Sequence, residues 1–126
     1  MHHDSFAHAV ELFNEQEFFA CHDVLEEIWN ETLDERRDFY QGLIHAAVAL
    51  FHFSERNLTG ARKMHASTLR YLAPYGEAFH DIDLQRFRQD FNYCFRKLTE
   101  VSSGYPHGVE IDMADIPVLI THRASQ

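Results

Sequence analysis

Apolar positions along most of the chain recur at spacings of three and four residues, which is the period of an amphipathic α-helix. Turn and capping residues interrupt this pattern, and no pair of β-strands is evident. The predicted helices span residues of about 4–14, 17–32, 35–55, 58–73 and 84–103. We therefore predict an all-α fold, an antiparallel bundle of about five helices within a single domain, residues 1–126.

Single residues predict where some helices begin, end or touch. Asn57 or Thr59 is the predicted cap of the fourth helix and Asp83 that of the fifth, because their short polar side chains accept hydrogen bonds from free backbone N–H groups. Pro74 ends the fourth helix. Gly42 lies inside the apolar third helix, where glycine costs about 1 kcal/mol relative to alanine. Together with the small Gly60, it indicates close contact between the third and fourth helices.

The last 23 residues follow a different pattern. Residues 104–126 show no helical period, and we expect the segment 116–120 to lie extended over the bundle. Internal repetition is faint: Leu12-Phe13 before Phe19-Ala20 resembles Leu50-Phe51 before Gly60-Ala61. Two such units are fewer than the three or more that a helical solenoid needs.

The composition restricts the classes of partner. Hydrophobic residues make up 45% and charged residues 25%, as in ordinary globular proteins, but the formal net charge is -9. This acidic balance disfavours nucleic acid and anionic membrane surfaces. The longest apolar stretch, about 43–53, contains two histidines and is too short to cross a bilayer. No signal peptide is evident, so we expect a cytoplasmic protein whose partner is a small ligand, another protein or a second copy of the chain.

One histidine occupies an unusual position in the second helix. On a helical wheel Phe18, His22, Leu25 and Trp29 share a narrow sector, and Glu26 lies at its edge. We therefore expect His22 on the buried face. Burying an imidazole or a carboxylate without partners costs several kcal/mol, so His22 and Glu26 need partners.

The third helix carries a second polar line. Gln41, His45 and His52 fall within about 40° of one another on an otherwise apolar helix. If this line faces the second helix, a polar pocket forms whose candidate residues are His22, Glu26, Trp29, Gln41, His45 and His52.

Three interpretations of this cluster stay open. It could be a satisfied hydrogen-bond network that only fixes helix packing. It could bind a small molecule or act as an acid–base pair in which Glu26 orients His22 through its Nδ1–H. It could also hold a divalent metal, for which the candidate ligands are His22, Glu26, His45 and His52. The evidence for a metal site is weak, because the second and third helices contain no His-x-x-x-His or Glu-x-x-His pair in addition to His22 and Glu26.

The remaining chemistry-bearing residues favour structural roles. We expect His65 to pack at the edge of the core, and Cys21 and Cys94 to be small buried residues in a reducing compartment. The acidic run from Asp23 to Glu35 predicts a solvated face. The other histidines are assigned to the surface or the tail: His2, His3, His8, His80, His107 and His122. A remnant of the Phe-rich stripe on the fifth helix would suit a dimer contact.

Two separated motifs resemble those of the domain-of-unknown-function family numbered 309. The first runs from Leu12-Phe13-Asn14 through His22-Asp23-Val24-Leu25-Glu26-Glu27-Ile28-Trp29, and the second from Phe39-Tyr40-Gln41-Gly42 to Asn57-Leu58-Thr59-Gly60-Ala61. The resemblance covers about residues 6–73 and implies a small helical prokaryotic protein, with no established activity or cofactor. Its motif positions here are His22, Glu26, Trp29, Gln41 and Gly42, with Asn57 and Gly60 at the turn. Asp23 replaces the family's usual Glu, and His45 stands where Gln is common.

The sequence therefore supports two hypotheses. The first is a helical bundle with a polar pocket between the second and third helices, binding a small ligand or a divalent metal. The alternative is a helix-hairpin interaction module, similar to tetratricopeptide repeats, whose polar cluster is purely structural.

Overall fold

Six α-helices are found in the part of the chain that the computed structural model describes, residues 2–101 and 104–121, with residues 2–4 described as backbone. Their bounds are α1 His2–Asn14, α2 Phe18–Glu31, α3 Arg37–Ser54, α4 Leu58–Leu72, α5 Leu84–Cys94 and α6 Arg96–Thr99. Short 3-10 turns span Ala73–Tyr75 and Met113–Asp115. The protein is thus mostly helical. The antiparallel order of the helices and the single domain stay predictions.

The helix pairs α1–α2 and α3–α4 are two versions of one hairpin, offset by 40 residues. Every buried position between residues 6 and 32 has a buried equivalent 40 residues later. The paired positions are 6 and 46, 9 and 49, 10 and 50, 13 and 53, 18 and 58, 21 and 61, 25 and 65, 28 and 68, and 32 and 72. The structure therefore contains a clear repeat, in a register that differs from the faint one in the sequence.

Both hairpins turn in the same way. Gln16 after α1 and Arg56 after α3 have positive φ angles of 66° and 63°. In the first turn Glu17 N–H donates to Leu12 C=O at 2.9 Å, and in the second Asn57 N–H donates to the carbonyl of His52 at 2.8 Å. These bonds define a Schellman motif, which satisfies carbonyls that a helix end would otherwise leave unpaired.

Helix α3 is the central element of the described structure. It packs against α2 on one side and α4 on the other, and its buried residues surround most of its circumference. Gly42 explains how α4 comes so close: a Cβ there would lie 2.6 Å from Cδ2 of Leu72 and 3.3 Å from Cβ of Tyr71. The predicted close contact between the third and fourth helices is confirmed.

Two local features differ from the prediction. A two-stranded antiparallel sheet, Ala78–Phe79 with Ile82–Asp83, precedes α5, so the absence of strand pairs was wrong. Its two-residue turn, His80-Asp81, has positive φ at both positions, the geometry of a type I′ hairpin. The predicted helix 84–103 breaks at Phe95 into α5 and α6, and residues 102–103 lie outside the described part.

Two residues of the predicted extended segment 116–120 contact the end of α1 and the small hairpin. Backbone groups of Leu119 bond the side chain of Asn14 at 2.7 and 3.0 Å, and Ile120 C=O accepts from Asp83 N–H at 2.9 Å. Residues 122–126 lie outside the described residues. Within the described part, none of the helices combines the length and the apolar character needed to cross a membrane.

Candidate functional site

The imidazole of His22 and the carboxylate of Glu26 meet on the surface of α2. Nε2 of His22 lies 3.3 Å from Oε2 of Glu26, and the two side chains are 31% and 53% exposed. Nδ1 of His22 lies 3.4 Å from a carboxylate oxygen of Asp23. The buried line of α2 instead consists of Phe18, Cys21, Leu25 and Ile28. His22 is therefore at the edge of the core, between two carboxylates, and Glu26 meets Nε2 rather than the expected Nδ1.

His45, by contrast, is enclosed in a hydrogen-bond network that joins α3 to α4. Its Nε2 lies 2.6 Å from Nε2 of Gln41, and its Nδ1 lies 2.6 Å from Oγ of Ser67. Ser67 Oγ also accepts from Arg70 at 3.3 Å. The edge of the Tyr71 ring meets the imidazole at 5.1 Å between centroids. Both ring nitrogens of His45 are thus occupied within the protein.

Burial favours the neutral form of His45, and the hydrogen bonds of the network define its tautomer. In this arrangement the Gln41 amide N–H donates to Nε2, so the proton of the neutral imidazole is on Nδ1 and is donated to Ser67. Burial lowers the pKa of His45, and the positive charges of Arg70 and His22 lower it further. The hydrogen bonds and the lowered pKa together hold His45 as a neutral imidazole in one tautomer and one orientation.

The electrostatic effect of His22 on His45 links the two groups of residues. The charge of His22 contributes to the lowered pKa of His45, after burial and the charge of Arg70. We call the set formed by His22 and Glu26 of α2, Gln41 and His45 of α3, and Ser67 and Arg70 of α4 the three-helix polar site. It contains the partly exposed His22–Glu26 contact of α2 and the hydrogen bonds of His45 to Gln41 and Ser67.

Two predicted pocket residues lie elsewhere. Nδ1 of His52 lies 3.3 Å from the amide nitrogen of Asn57, at the turn into α4, and a Cβ on Gly60 would lie 3.0 Å from the His52 ring. One face of Trp29 is covered by the guanidinium of Arg37, whose carbon lies 3.8 Å from the ring centroid. His52 therefore serves a turn, and Trp29 stacks with Arg37 at the end of α2.

The capping residues behave as predicted. Asn57 accepts a hydrogen bond from Gly60 N–H at 3.1 Å, and Asp83 accepts one from Arg86 N–H at 2.9 Å. These bonds satisfy N–H groups that have no partner inside the helix. Gly42, Asn57 and Gly60 are thus structural positions.

The four candidate metal ligands do not assemble. Among the residues that the structure describes, no three His, Cys, Asp or Glu side chains are placed to hold a metal ion. His45 would have to release Gln41 or Ser67 before either ring nitrogen could bind one.

Two further histidines are packed inside the protein. His65 stacks on Phe91 and Phe95 and bonds Oδ1 of Asn92 at 2.8 Å, as expected of a core-edge histidine. His80 was assigned to the surface, and this was wrong. Its ring stacks on Phe6 at 4.2 Å, and Nε2 lies 3.0 Å from the Tyr40 hydroxyl. His8 and His107 are exposed as predicted, whereas the side chains of His2, His3 and His122 are not described.

Sequence reasoning missed Ser67, Arg70 and Arg37. Ser67 is buried beside the core position Thr68, and a small polar residue next to a helix's apolar stripe is the signal that could have indicated it. Cys21 and Cys94 are free and buried, and burial raises the pKa of each thiol to about 12. Neither thiol is therefore a candidate nucleophile.

The described residues thus form a mostly helical protein with polar side-chain contacts on α2 and between α3 and α4. The family described as "Domain of unknown function (DUF309)" matches residues 6–64, which confirms the resemblance carried by the two motifs. Residues 6–64 of this chain are thus similar to that family.

Two bacterial proteins are similar to part of this chain. One is the uncharacterized protein YpuF of Bacillus subtilis (strain 168), 35% identical over 80 residues, which are 63% of this chain and 46% of YpuF. The other is an uncharacterized protein of Aquifex aeolicus (strain VF5), 32% identical over 77 residues, which are 60% of this chain and 23% of that protein. The matched region thus spans less than half of each relative.

Proposed function

We propose that this protein binds a small polar ligand at the three-helix polar site, with His22 and Glu26 making the direct contacts. Two observations support the proposal: the His22–Glu26 pair is partly open to solvent on α2, and hydrogen bonds to Gln41 and Ser67 hold His45 in one orientation. A ligand that offers both a donor and an acceptor can bond the carboxylate and the imidazole together. The network behind the pair need not rearrange, so little ordering entropy is lost on binding.

A fragment screen followed by amide NMR titration tests this proposal. We expect polar fragments to shift resonances of α2 and α3 around His22 and Glu26. The affinity of the best fragment should fall about tenfold or more in His22→Ala, the loss expected for a direct contact. His107→Ala, which removes another exposed imidazole, is the matched control and should bind as the wild type does. Fragments that bind His22→Ala as tightly as the wild type would overturn the proposal.

A divalent metal is the narrower form of the same proposal. His22 and Glu26 are one helical turn apart, so both can reach one ion, and imidazole with carboxylate suits first-row divalent metals. The two residues supply only part of a coordination shell, and water or a ligand would complete it. Elemental analysis of protein equilibrated with Zn²⁺ or Ni²⁺ tests this form. We expect stoichiometric metal in the wild type and loss in His22→Ala. Substoichiometric metal in both would remove the metal form and leave the organic-ligand form standing.

A second candidate function, a helix-hairpin interaction module, is supported by the 40-residue structural repeat. Each hairpin presents the outer face of a helix, α2 or α4, on a common frame, and repeated helix hairpins are a frequent architecture of protein-binding surfaces. In this interpretation Gln41, His45 and Ser67 only hold α3 against α4. A cytoplasmic location is part of both proposals.

A further inference from the structure

An aromatic side chain is exposed on the outward face of α2. Phe19 is 66% exposed, although its ring meets the edge of Phe51 from α3 at 6.0 Å between centroids. Phe51 is itself only partly buried. Exposing a phenylalanine forgoes roughly 1.5–3 kcal/mol of burial, so an aromatic pair open to solvent marks a surface suited to an apolar anchor.

Carboxylates continue this face along the helix. Asp23 and Glu27 follow Phe19 at spacings of four and eight residues, so all three side chains project from neighbouring parts of the outer surface, and all are exposed. The positions equivalent to Phe19, Asp23 and Glu27 in the second hairpin are Thr59, Lys63 and Ser67. The aromatic and acidic character is thus specific to α2 and is not a property of the repeated frame.

The charge of the whole chain is concentrated around this helix. Residues 11–38 contain ten of the twenty carboxylates but only two of the eleven Lys and Arg residues. Because such a region repels anionic partners and attracts cationic ones, the electrostatic field selects the sign of the partner. Phe19 and Phe51 thus offer a contact for an apolar side chain, and the carboxylates favour a positively charged partner.

We propose that the face formed by Phe19, Phe51, Asp23 and Glu27, here named the α2 face, binds a basic amphipathic segment of another protein. An apolar side chain of that segment packs on Phe19 and Phe51, and its Lys or Arg side chains pair with Asp23 and Glu27. The proposal goes beyond the ligand site, because none of these four residues makes the proposed ligand contacts, although the Asp23 carboxylate lies 3.4 Å from Nδ1 of His22. If the fragment screen fails, the proposal for the α2 face is unaffected. If the α2 face binds no peptide, the proposal for the ligand site is unaffected.

Fluorescence anisotropy with two synthetic peptides tests the proposal. The probe is a fluorescein-labelled amphipathic peptide of Leu and Lys, about 14 residues long, so that as a helix it matches the length of α2 at roughly 1.5 Å per residue. The comparison peptide carries Glu in place of Lys. We expect saturable binding of the Leu/Lys peptide and none of the Leu/Glu peptide. Binding should weaken several-fold between about 50 and 300 mM salt, because salt screens exposed charges.

Matched variants locate the binding on the molecule. Phe19→Ala should weaken binding about tenfold, as loss of an aromatic anchor does. Met113→Ala removes an equally exposed apolar side chain from the tail and should leave the affinity unchanged. The double change Asp23→Asn with Glu27→Gln should reduce both the affinity and its salt dependence. The double change Glu77→Gln with Glu100→Gln alters the net charge equally at other exposed positions and should do less.

Three outcomes would overturn the proposal. One is equal binding of the two peptides, and another is equal affinity of Phe19→Ala and Met113→Ala for the Leu/Lys peptide. The third is self-association measured by sedimentation that Phe19→Ala abolishes, since it would mean that a second copy of the chain occupies the α2 face. Phe19 is exposed, so its variant should fold, and circular dichroism checks this.

Discussion

The two helix hairpins of this protein share a frame and differ on their surfaces. α1–α2 and α3–α4 bury equivalent positions and turn through the same Schellman motif. Where α2 exposes His22, Asp23 and Glu26, the equivalent positions of α4 are occupied by arginine, lysine and alanine. The buried positions specify the hairpin, because burial of apolar area drives its formation. We propose that function resides in the exposed differences.

The largest effect is expected when equivalent buried phenylalanines of the two hairpins are replaced. Phe13 and Phe53 occupy the same position in the two hairpins, and both are almost fully buried. Phe13→Ala and Phe53→Ala should each cost about 3–5 kcal/mol in the free energy of unfolding, since each leaves a cavity. Urea denaturation measures both. A loss below about 1 kcal/mol in only one of them would mean that the two positions are not equivalent in packing.

The second test contrasts the two imidazoles of the three-helix polar site. His45→Ala should cost about 1–3 kcal/mol, because Ser67 and Gln41 lose a buried partner. His22→Ala should stay within about 0.5 kcal/mol of the wild type, because the His22 side chain is partly open to solvent and solvent screens its contacts with the exposed Asp23 and Glu26. The same denaturation experiment measures both variants. If His22→Ala loses more unfolding free energy than His45→Ala, then His22 and not His45 would be the structural residue.

The third test replaces the positive-φ residue of each hairpin turn with glycine. Gln16 and Arg56 adopt the left-handed region, which disfavours residues with a Cβ, and glycine is the usual residue there. Gln16→Gly and Arg56→Gly should each raise the free energy of unfolding by about 0.5–1 kcal/mol. The matched control is Gln89→Gly, in an exposed position of α5, which should lose about 1 kcal/mol. Destabilisation by both turn variants would contradict the Schellman geometry.

The smallest expected effect is a pH dependence. The pKa of His45 is lowered in the folded state by burial and by Arg70, so the unfolded chain binds a proton more readily. Its contribution to stability is therefore present above the unfolded pKa of about 6.5 and is lost as the pH falls through the folded value.

The difference in unfolding free energy between about pH 7.5 and pH 5.5 measures this effect. His65 and His80 also have pKa values lowered by burial and act in the same direction. Replacing His45 with the non-titrating glutamine should therefore reduce the difference without abolishing it. His107→Gln, in the exposed tail, is the control. An unchanged pH dependence in His45→Gln would contradict the neutral, enclosed state of His45.

The sequence predicted the main helices because their period, caps and breakers are local. Asn57 and Asp83 cap helices as expected, and Pro74 lies in the 3-10 turn that follows α4. The small hairpin was missed because its turn residues, His80 and Asp81, adopt positive φ without a glycine. The break at Phe95 was missed because the apolar period continues through it.

The candidate site was predicted only in part. A helical wheel showed that His22 and Glu26 share one line of α2, and Gln41 and His45 one line of α3. It cannot show which neighbouring helix a line meets. The partner of His45 proved to be Ser67 on α4, a contact between residues far apart in sequence. His52 lies on the same line of α3, yet it pairs with Asn57 at the turn, because seven residues advance about 10 Å along a helix.

The central claim is that the network around His45 is the frame and the His22–Glu26 pair is the binding element. Isothermal titration of the best polar fragment or metal into wild-type protein, His22→Ala and Glu26→Gln tests it most directly. We predict that each change weakens binding about tenfold or more while the free energy of unfolding stays within about 0.5 kcal/mol of the wild type. Full affinity in both variants, or binding lost only together with stability, would contradict the claim.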